Sequence, residues 1–265
     1  MKKKNKAIYL LFLMPFVYFA TACFVVWLVK TSGIYPSGSD TMYHVYRGDY
    51  VYNAIKSGNW YPLYDPAWYN GVEILRYWSP FPAYVMAFCQ YLAGGSQFGA
   101  YLFYIGGVCF LGACVWPFIG RGFNRPYLGA FIGLLWFFMP NNLCAIFIEG
   151  NLARSLSMIF LPVFIYSVYK YLYNHKLRYI PLMVFTFLLM ELCHLGYAGM
   201  VAIAVIIYGI VYIIQKGRKK AVLDVVISMI FGFMLLGIWL VASLRGGITS
   251  LDNSENMANF FQNLW

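Results

Sequence analysis

The sequence predicts an all-α, polytopic membrane protein with about seven transmembrane helices and a large first outer loop that contains juxtamembrane helices. Of the 265 residues, 62% are hydrophobic and only 11% are charged, whereas soluble domains have about 25% charged residues. The mean hydropathy is +0.66, and the apolar residues form runs close to the roughly 20 residues that a span needs. This composition excludes a disordered chain, a secreted disulfide scaffold and an ordinary cytosolic enzyme.

The first predicted span covers residues 7–29 and follows a basic N-terminal segment, Lys2 to Lys6. The sequence Ala20-Thr21-Ala22 before Cys23 resembles a signal-peptidase site. However, the apolar run continues to Val29, which is longer than the roughly 7–15 apolar residues of a cleaved signal. We therefore expect an uncleaved anchor with a cytoplasmic N-terminus.

The rest of the chain divides into a loop, six further spans and a tail, which together form a single membrane domain, 1–265. Residues 30–96, rich in Tyr, Trp, Gly and Pro, form the predicted outer loop. The spans within residues 97–243 are predicted at 97–120, 127–145, 155–173, 180–193, 196–215 and 221–243. Residues 180–215 could instead form one long kinked helix, but we favour a tight hairpin at His194-Leu195-Gly196, because the basic loops on both sides then lie inside. Residues 244–265 form a predicted outer tail.

Whether residues 81–93 cross the membrane decides the topology. If they cross, Arg121, Arg125, Lys176 and Arg178 fall outside; if they lie on the outer surface, every basic cluster falls inside. The positive-inside rule favours the second threading, with seven spans and the C-terminus outside. This threading places most acidic and His groups on the outer face: Asp40, His44, Asp49, Glu73, Glu149, His194, Asp252 and Glu255, together with Arg154.

The net charge of +10 does not indicate a nucleic-acid-binding protein. The Lys and Arg residues lie in short clusters between apolar runs, which is typical of cytoplasmic membrane loops. The six cysteines are scattered and form no CxxC pair, so the sequence predicts neither a zinc site nor a disulfide framework.

The first candidate cluster contains Asp40, His44 and Arg47, which follow Gly38-Ser39. Their spacing of i, i+4 and i+7 places them on one face of a helix that is predicted to run to Ser57. Asp40 is either an N-cap of this helix or a general base or metal ligand with His44 beside it.

The second candidate cluster is Glu149-Gly150-Asn151 with Arg154, at the outer end of a span. Glu149 and Asn151 could present oxygen atoms to a hard cation. Alternatively, Arg154 extends to lipid headgroups and pairs with Glu149.

A third candidate is Glu191 with His194, for which a structural Glu–His pair at i, i+3 is the simpler explanation. Glu73 and Arg76 form a weaker fourth candidate. The loop aromatics suit an interfacial belt.

Several short segments occur in a defined order along the chain: Gly38-Ser39-Asp40 with His44, residues 55–62, 69–71 and 77–84, Glu149-Gly150-Asn151, and His194-Leu195. Their order resembles the membrane-embedded glycosyltransferases of the GT-C superfamily, and most of all the bacterial group labelled 6-pyruvoyl-tetrahydropterin synthase-related membrane proteins. Despite that label, nothing in the sequence suits pterin chemistry.

The resemblance implies an enzyme that transfers a sugar from a polyprenyl-phosphate donor to an envelope acceptor on the outer face. It implies Asp40 as the catalytic base and Glu149 as a second acid. The residues expected to bind substrate are His44, Arg47, Asn151, Arg154 and His194, with Arg154 at the donor phosphate. Asp40, Glu149 and His194 would bind a divalent cation, Mg²⁺ or Mn²⁺.

Membrane lipids and the lipid-linked donor are the expected partners. The alternative is a non-catalytic or truncated relative that acts as a scaffold in envelope assembly, because members of this group usually continue through more spans than this chain has. A transporter is disfavoured, since the charges collect at the ends of the spans rather than near the middle of the bilayer.

Overall fold

The computed structural model describes residues 2–36, 38–68, 71–76 and 78–243, with side chains from residue 12 onward. The predicted outer tail, with Asp252 and Glu255, lies outside the described residues, as do Ser37, Tyr69, Asn70 and Tyr77. The helices of the described part are α1 (Lys2–Ser32), α2 (Thr41–Lys56), α3 (Phe81–Leu92), α4 (Gln97–Gly122), α5 (Pro126–Trp136), α6 (Pro140–Leu143), α7 (Leu152–Asn174), α8 (Tyr179–Cys193), α9 (Leu195–Lys216) and α10 (Lys219–Ser243).

Six helical segments of the described chain are long and apolar enough to cross a membrane: Phe12–Ser32, Gln97–Gly122, Pro126–Ile148, Leu152–Asn174, Leu195–Lys216 and Lys219–Ser243. Helix α8 is apolar but has only 15 residues, which is about 22 Å against a hydrocarbon core of about 30 Å. These segments confirm the all-helical, polytopic class, and each predicted span matches a helical segment to within a few residues.

The segment predicted as the span 127–145 is interrupted rather than continuous. Helix α5 ends at Trp136, and Met139 is extended (φ −61°, ψ 124°) because Pro140 follows it. A short helix and a π-helical turn, Cys144–Ile148, then complete the crossing. The interruption brings the chain to Glu149 at the end of the span.

Helix α3 has 12 residues, so it covers about 18 Å and is too short to cross the bilayer. It packs instead against α2, where Met86 contacts Gly48. A small apolar cluster around Val51, Ile74 and Leu75 holds α2 and α3 together.

The connections between helices lie at two opposite ends of the bundle. At the first, which we call the site end, Trp239 Nε1 donates to Leu75 O at 2.8 Å and Asp40 N to Glu149 O at 3.1 Å. At the second, the basic end, Lys170 Nζ donates to Gly122 O at 2.6 Å. The basic end has the positively charged connections α4–α5, α7–α8 and α9–α10. The site end has the α1–α2, α6–α7 and α8–α9 connections.

Close backbone packing joins α4 to α5. A Cβ atom on Gly129 would lie 2.8 Å from Gly120 Cα and would also clash with Trp116 O. Tyr18 of α1 reaches the same region and donates its hydroxyl proton to Ala130 O at 2.8 Å. Small residues allow such close helix approach in membranes, where apolar lipid weakens the hydrophobic drive for helices to associate.

We therefore expect Gly129→Ala to lower the free energy of unfolding by about 1–3 kcal/mol, because the atoms that it meets belong to the backbone and cannot move aside. Gly107→Ala is the matched control, since a Cβ there meets nothing within 4 Å. Thermal unfolding of both variants in detergent measures the difference. Equal stability of the two variants would contradict this packing.

Candidate functional site

The two loops with the predicted acids meet at the site end. The backbone N–H of Asp40 donates to Glu149 O at 3.1 Å, and Ser39 Oγ donates to the same carbonyl at 3.1 Å. Residues from the α1–α2 and α6–α7 connections, 110 positions apart, are therefore fixed side by side.

This contact depends on two glycines. A Cβ on Gly38 would lie 2.6 Å from Gly150 Cα, and a Cβ on Gly150 would lie 2.6 Å from Thr41 N. Gly150 also has φ +68°, a conformation that is costly for any residue with a Cβ. The backbone approach that joins the two loops is thus open only to glycine.

Asp40 occupies the N-cap position of α2, but its side chain makes no capping hydrogen bond. Its Oδ1 lies 3.1 Å from Ser39 Oγ, whose single proton is shared between this carboxylate and Glu149 O, and the residue is half-buried. The capping alternative therefore does not explain the carboxylate, which is available for other contacts at the site end.

Glu149 and Arg154 form one of the two ion pairs within the described part of the chain, with Oε2 and Nη2 2.7 Å apart. The Glu149–Arg154 pair that this alternative includes is therefore formed. The guanidinium lowers the pKa of the Glu149 carboxyl below its usual value. Arg154 Nη2 faces Glu149 in this ion pair, whereas the buried Arg154 Nε has no hydrogen-bond partner among the described residues.

Asn151 and His194 each cap a helix and face each other. Asn151 Oδ1 accepts from Arg154 N at 2.9 Å, and His194 Nδ1 accepts from Tyr197 N at 3.0 Å. Burial lowers the pKa of His194, so the ring is neutral and its proton lies on Nε2. That N–H lies 3.4 Å from the Asn151 amide nitrogen, so two donors converge without an acceptor between them.

His44 and Arg47 share a helix face, but both are buried. Arg47 is 1% exposed, and its Nη2 donates to Trp78 O at 3.2 Å and to Ser79 O at 3.4 Å. Arg47 thus holds the segment before α3 rather than opening onto the loops. Burial, and then the nearby charge of Arg47, lowers the pKa of His44 to about 3.

The Glu191–His194 pair is not formed. The helix ends at Cys193 and His194 is extended (φ −154°, ψ 95°), so the i, i+3 helical spacing does not apply, and the ring caps α9 instead. Glu191 is 2% exposed and its Oε2 has no partner among the described residues.

The backbone carbonyl of Glu191 accepts from Ser79 Oγ at 2.9 Å. Sequence reasoning did not select Ser79, because a single serine beside a proline carries no distinguishing signal. Glu73 and Arg76 do pair, and Arg76 Nη2 also donates to Ala242 O at 3.0 Å, which gives this fourth candidate a structural role.

Within the described ranges, no group of three or more His, Cys, Asp or Glu side chains is arranged to hold a metal ion. Glu149 is engaged by Arg154, and His194 Nδ1 caps α9. Asp40, Glu149 and His194 therefore do not form a ready-made ligand set, and a Mg²⁺ or Mn²⁺ ion there stays a prediction.

Gly150→Ala should separate the two loops, because its Cβ meets Thr41 backbone in a strained conformation. We expect hydrogen exchange at the Asp40 amide to accelerate at least tenfold, corresponding to roughly 1.4 kcal/mol of lost protection. Gly58→Ala is the control: it also has positive φ, but its Cβ meets nothing within 4 Å. Unchanged Asp40 exchange in Gly150→Ala would show that the loops do not depend on this contact.

Acidification should destabilise the protein through His44. The unfolded chain takes up this proton near pH 6.5, whereas the folded chain does so only near pH 3, so stability is lost as the pH falls below 6.5. Between pH 7 and pH 5 we expect a loss of about 2 kcal/mol that His44→Gln lacks. The free energy of unfolding of both proteins, measured at the two pH values, gives this loss. Equal losses in the two proteins would mean that His44 is exposed to water in the folded chain.

Comparison with known proteins identifies the family. The family model described as "6-pyruvoyl-tetrahydropterin synthase related domain; membrane protein" matches residues 75–265, a range that includes Glu149, Arg154 and His194 but begins after Asp40. Neither the curated proteins nor the solved structures contain a match. Because the matched range is well over half of the chain, the protein belongs to this family of 6-pyruvoyl-tetrahydropterin synthase-related membrane proteins.

Proposed function

We propose that this protein is a GT-C-type membrane glycosyltransferase that transfers a sugar from a polyprenyl-phosphate donor to an envelope acceptor. Two features that lie together at one end of the spans support this most. One is a carboxylate that makes no helix-capping hydrogen bond, and the other is a set of hydrogen-bond donors that lack acceptors. The carboxylate is Asp40, and the donors belong to Asn151, Arg154 and His194.

These donors suit a phosphate group. Arg154 offers its buried Nε hydrogen, and Asn151 Nδ2 and His194 Nε2 lie 3.4 Å apart. A phosphate oxygen beside them would supply the missing acceptor, and hydrogen bonds from a guanidinium to phosphate are among the stronger ones in proteins. Glu149 holds Arg154 in place through its ion pair.

In the proposed reaction, Asp40 takes the proton of an acceptor hydroxyl as its oxygen attacks the anomeric carbon of the donor sugar. The bond between that carbon and the phosphate oxygen breaks, and its electron pair leaves with the polyprenyl phosphate. The donors of Arg154, Asn151 and His194 stabilise the charge that develops on the leaving phosphate.

The site end would face out of the cell, because the basic connections lie at the opposite end of the bundle and such connections favour the cytoplasm. The donor's lipid tail would lie against the spans while its phosphate reaches Arg154. In the non-catalytic alternative, the Glu149–Arg154 pair would serve only to hold the α6–α7 connection against the first turn of α7.

Asp40→Asn should lower sugar transfer by the reconstituted full chain by about 10²- to 10⁴-fold, because the base is lost while the shape of the side chain is kept. The matched control is Asp49→Asn, since Asp49 only accepts from Gln90 Nε2 at 2.6 Å and an asparagine keeps an acceptor there. Transfer is measured from a labelled polyprenyl-phosphate sugar, with and without added Mn²⁺, which also tests the predicted cation.

The same preparation distinguishes binding from chemistry. Native mass spectrometry with polyprenyl phosphate should show normal binding by Asp40→Asn and at least tenfold weaker binding by Arg154→Gln, because charge-assisted hydrogen bonds contribute roughly 1.5–3 kcal/mol. Full transfer by Asp40→Asn, or unchanged binding by Arg154→Gln, would refute the proposed roles. Absence of transfer by every form, with no bound polyprenyl phosphate, would favour the scaffold alternative.

A further inference from the structure

The basic end has a cavity of about 670 Å³ between the α7–α8 connection and the start of α10. Its cationic lining comes from Arg218, Lys219 and Lys220, and its apolar lining includes Leu177 and Ile180. The three cations belong to the short connection and first turn that begin α10, so they lie at the level where spans meet lipid headgroups.

The protein balances the positive charge of this cavity only in part, because three cationic side chains line it with one acid. Asp224, the acid in its lining, accepts a hydrogen bond from Tyr171 OH at 2.6 Å. Neither ion pair of the described residues involves the cavity. Arg218 Nη1 contacts His175 Nε2, and both residues belong to the lining of the cavity.

An apolar groove adjoins the cavity at Ile180. It has a volume of about 350 Å³ and lies between α8 and α10, lined by Ile180, Pro181, Val184, Phe185, Leu188, Phe231 and Leu235. From Ile180 to Leu188 it follows α8 for about 12 Å. The cationic cavity and the apolar groove thus share Ile180, and the groove runs from there along α8, away from the basic end.

We infer that the cavity and groove together bind a glycerophospholipid with an anionic headgroup. The phosphate would lie at Arg218, Lys219 and Lys220, and one acyl chain would lie in the α8–α10 groove. A free anion would fill the cavity but not the groove, and a zwitterionic lipid would leave the surplus positive charge unbalanced. This site is at the opposite end of the spans from Asp40 and is independent of the proposed transfer reaction.

The test is retention of phosphatidylglycerol against phosphatidylcholine by the full chain, delipidated, re-exposed to equal amounts of both and measured by native mass spectrometry. We expect preferential retention of phosphatidylglycerol. The double variant Arg218→Gln/Lys219→Gln should reduce it roughly 10- to 30-fold, since each cation near the headgroups contributes to anionic lipid binding. Arg121→Gln/Arg125→Gln is the matched control, with the same charge change at the same end but outside the cavity.

The groove is tested with Phe231→Ala, which removes part of its wall, against Phe233→Ala, which alters an exposed side chain of the same helix outside the groove. Phe231→Ala alone should weaken phosphatidylglycerol retention several-fold, and ~10 mM inorganic phosphate should not displace the lipid, since the acyl chain contributes to binding. The inference would be overturned if the protein retained both lipids equally, or if both double variants lost retention equally. It would also be overturned if phosphate displaced the lipid fully and Phe231→Ala had no effect.

Discussion

The site end depends on one backbone contact, in which Gly38 and Gly150 approach so closely that neither position accepts a Cβ. Because of that approach, the amide of Asp40 reaches the carbonyl of Glu149, and the first outer loop is joined to the connection between α6 and α7. Without it, Asp40 would belong to a separate surface helix, and the Glu149–Arg154 pair would be an ordinary interfacial ion pair. The proposed reaction therefore depends on Gly38 and Gly150, which have no reactive side chain but whose lack of a Cβ lets the two backbones approach.

The neighbouring groups extend this contact by helix capping. Asn151 caps α7 and His194 caps α9, and each cap fixes the direction of a polar side chain at the same end. Caps satisfy backbone N–H groups that would otherwise be exposed where a span ends. Here Asn151 and His194 also bring unpaired donors together beside Arg154. The capping that these membrane-spanning helices need therefore also forms the candidate phosphate site.

Much of the fold could be predicted from the sequence, because a bilayer imposes long apolar runs and segregated charges that are visible without a structure. The seven helical segments, the short α3 and the helix break at His194 all follow from these patterns. The interruption after Trp136 was not predicted, although Pro140 was a local signal for it.

The side-chain partners in the site were harder to predict than the helices. Helical spacing placed Asp40, His44 and Arg47 on one face, but it could not show that Arg47 turns toward the carbonyls of Trp78 and Ser79. It also suggested a Glu191–His194 pair that the extended backbone at His194 prevents. Such partners depend on contacts between distant segments, which spacing along the chain does not encode.

The central claim is that the α1–α2 and α6–α7 connections lie on the same side of the membrane, opposite the α7–α8 connection. Labelling of introduced cysteines in intact cells with a membrane-impermeant maleimide tests it, using Ser39→Cys, Ile148→Cys and Lys176→Cys at exposed positions and the parent protein as background. We expect the first two to be labelled from outside and Lys176→Cys only after the membrane is opened. Labelling of Ser39→Cys and Ile148→Cys from opposite sides would mean that α3 crosses the bilayer, and would contradict both the threading and the site.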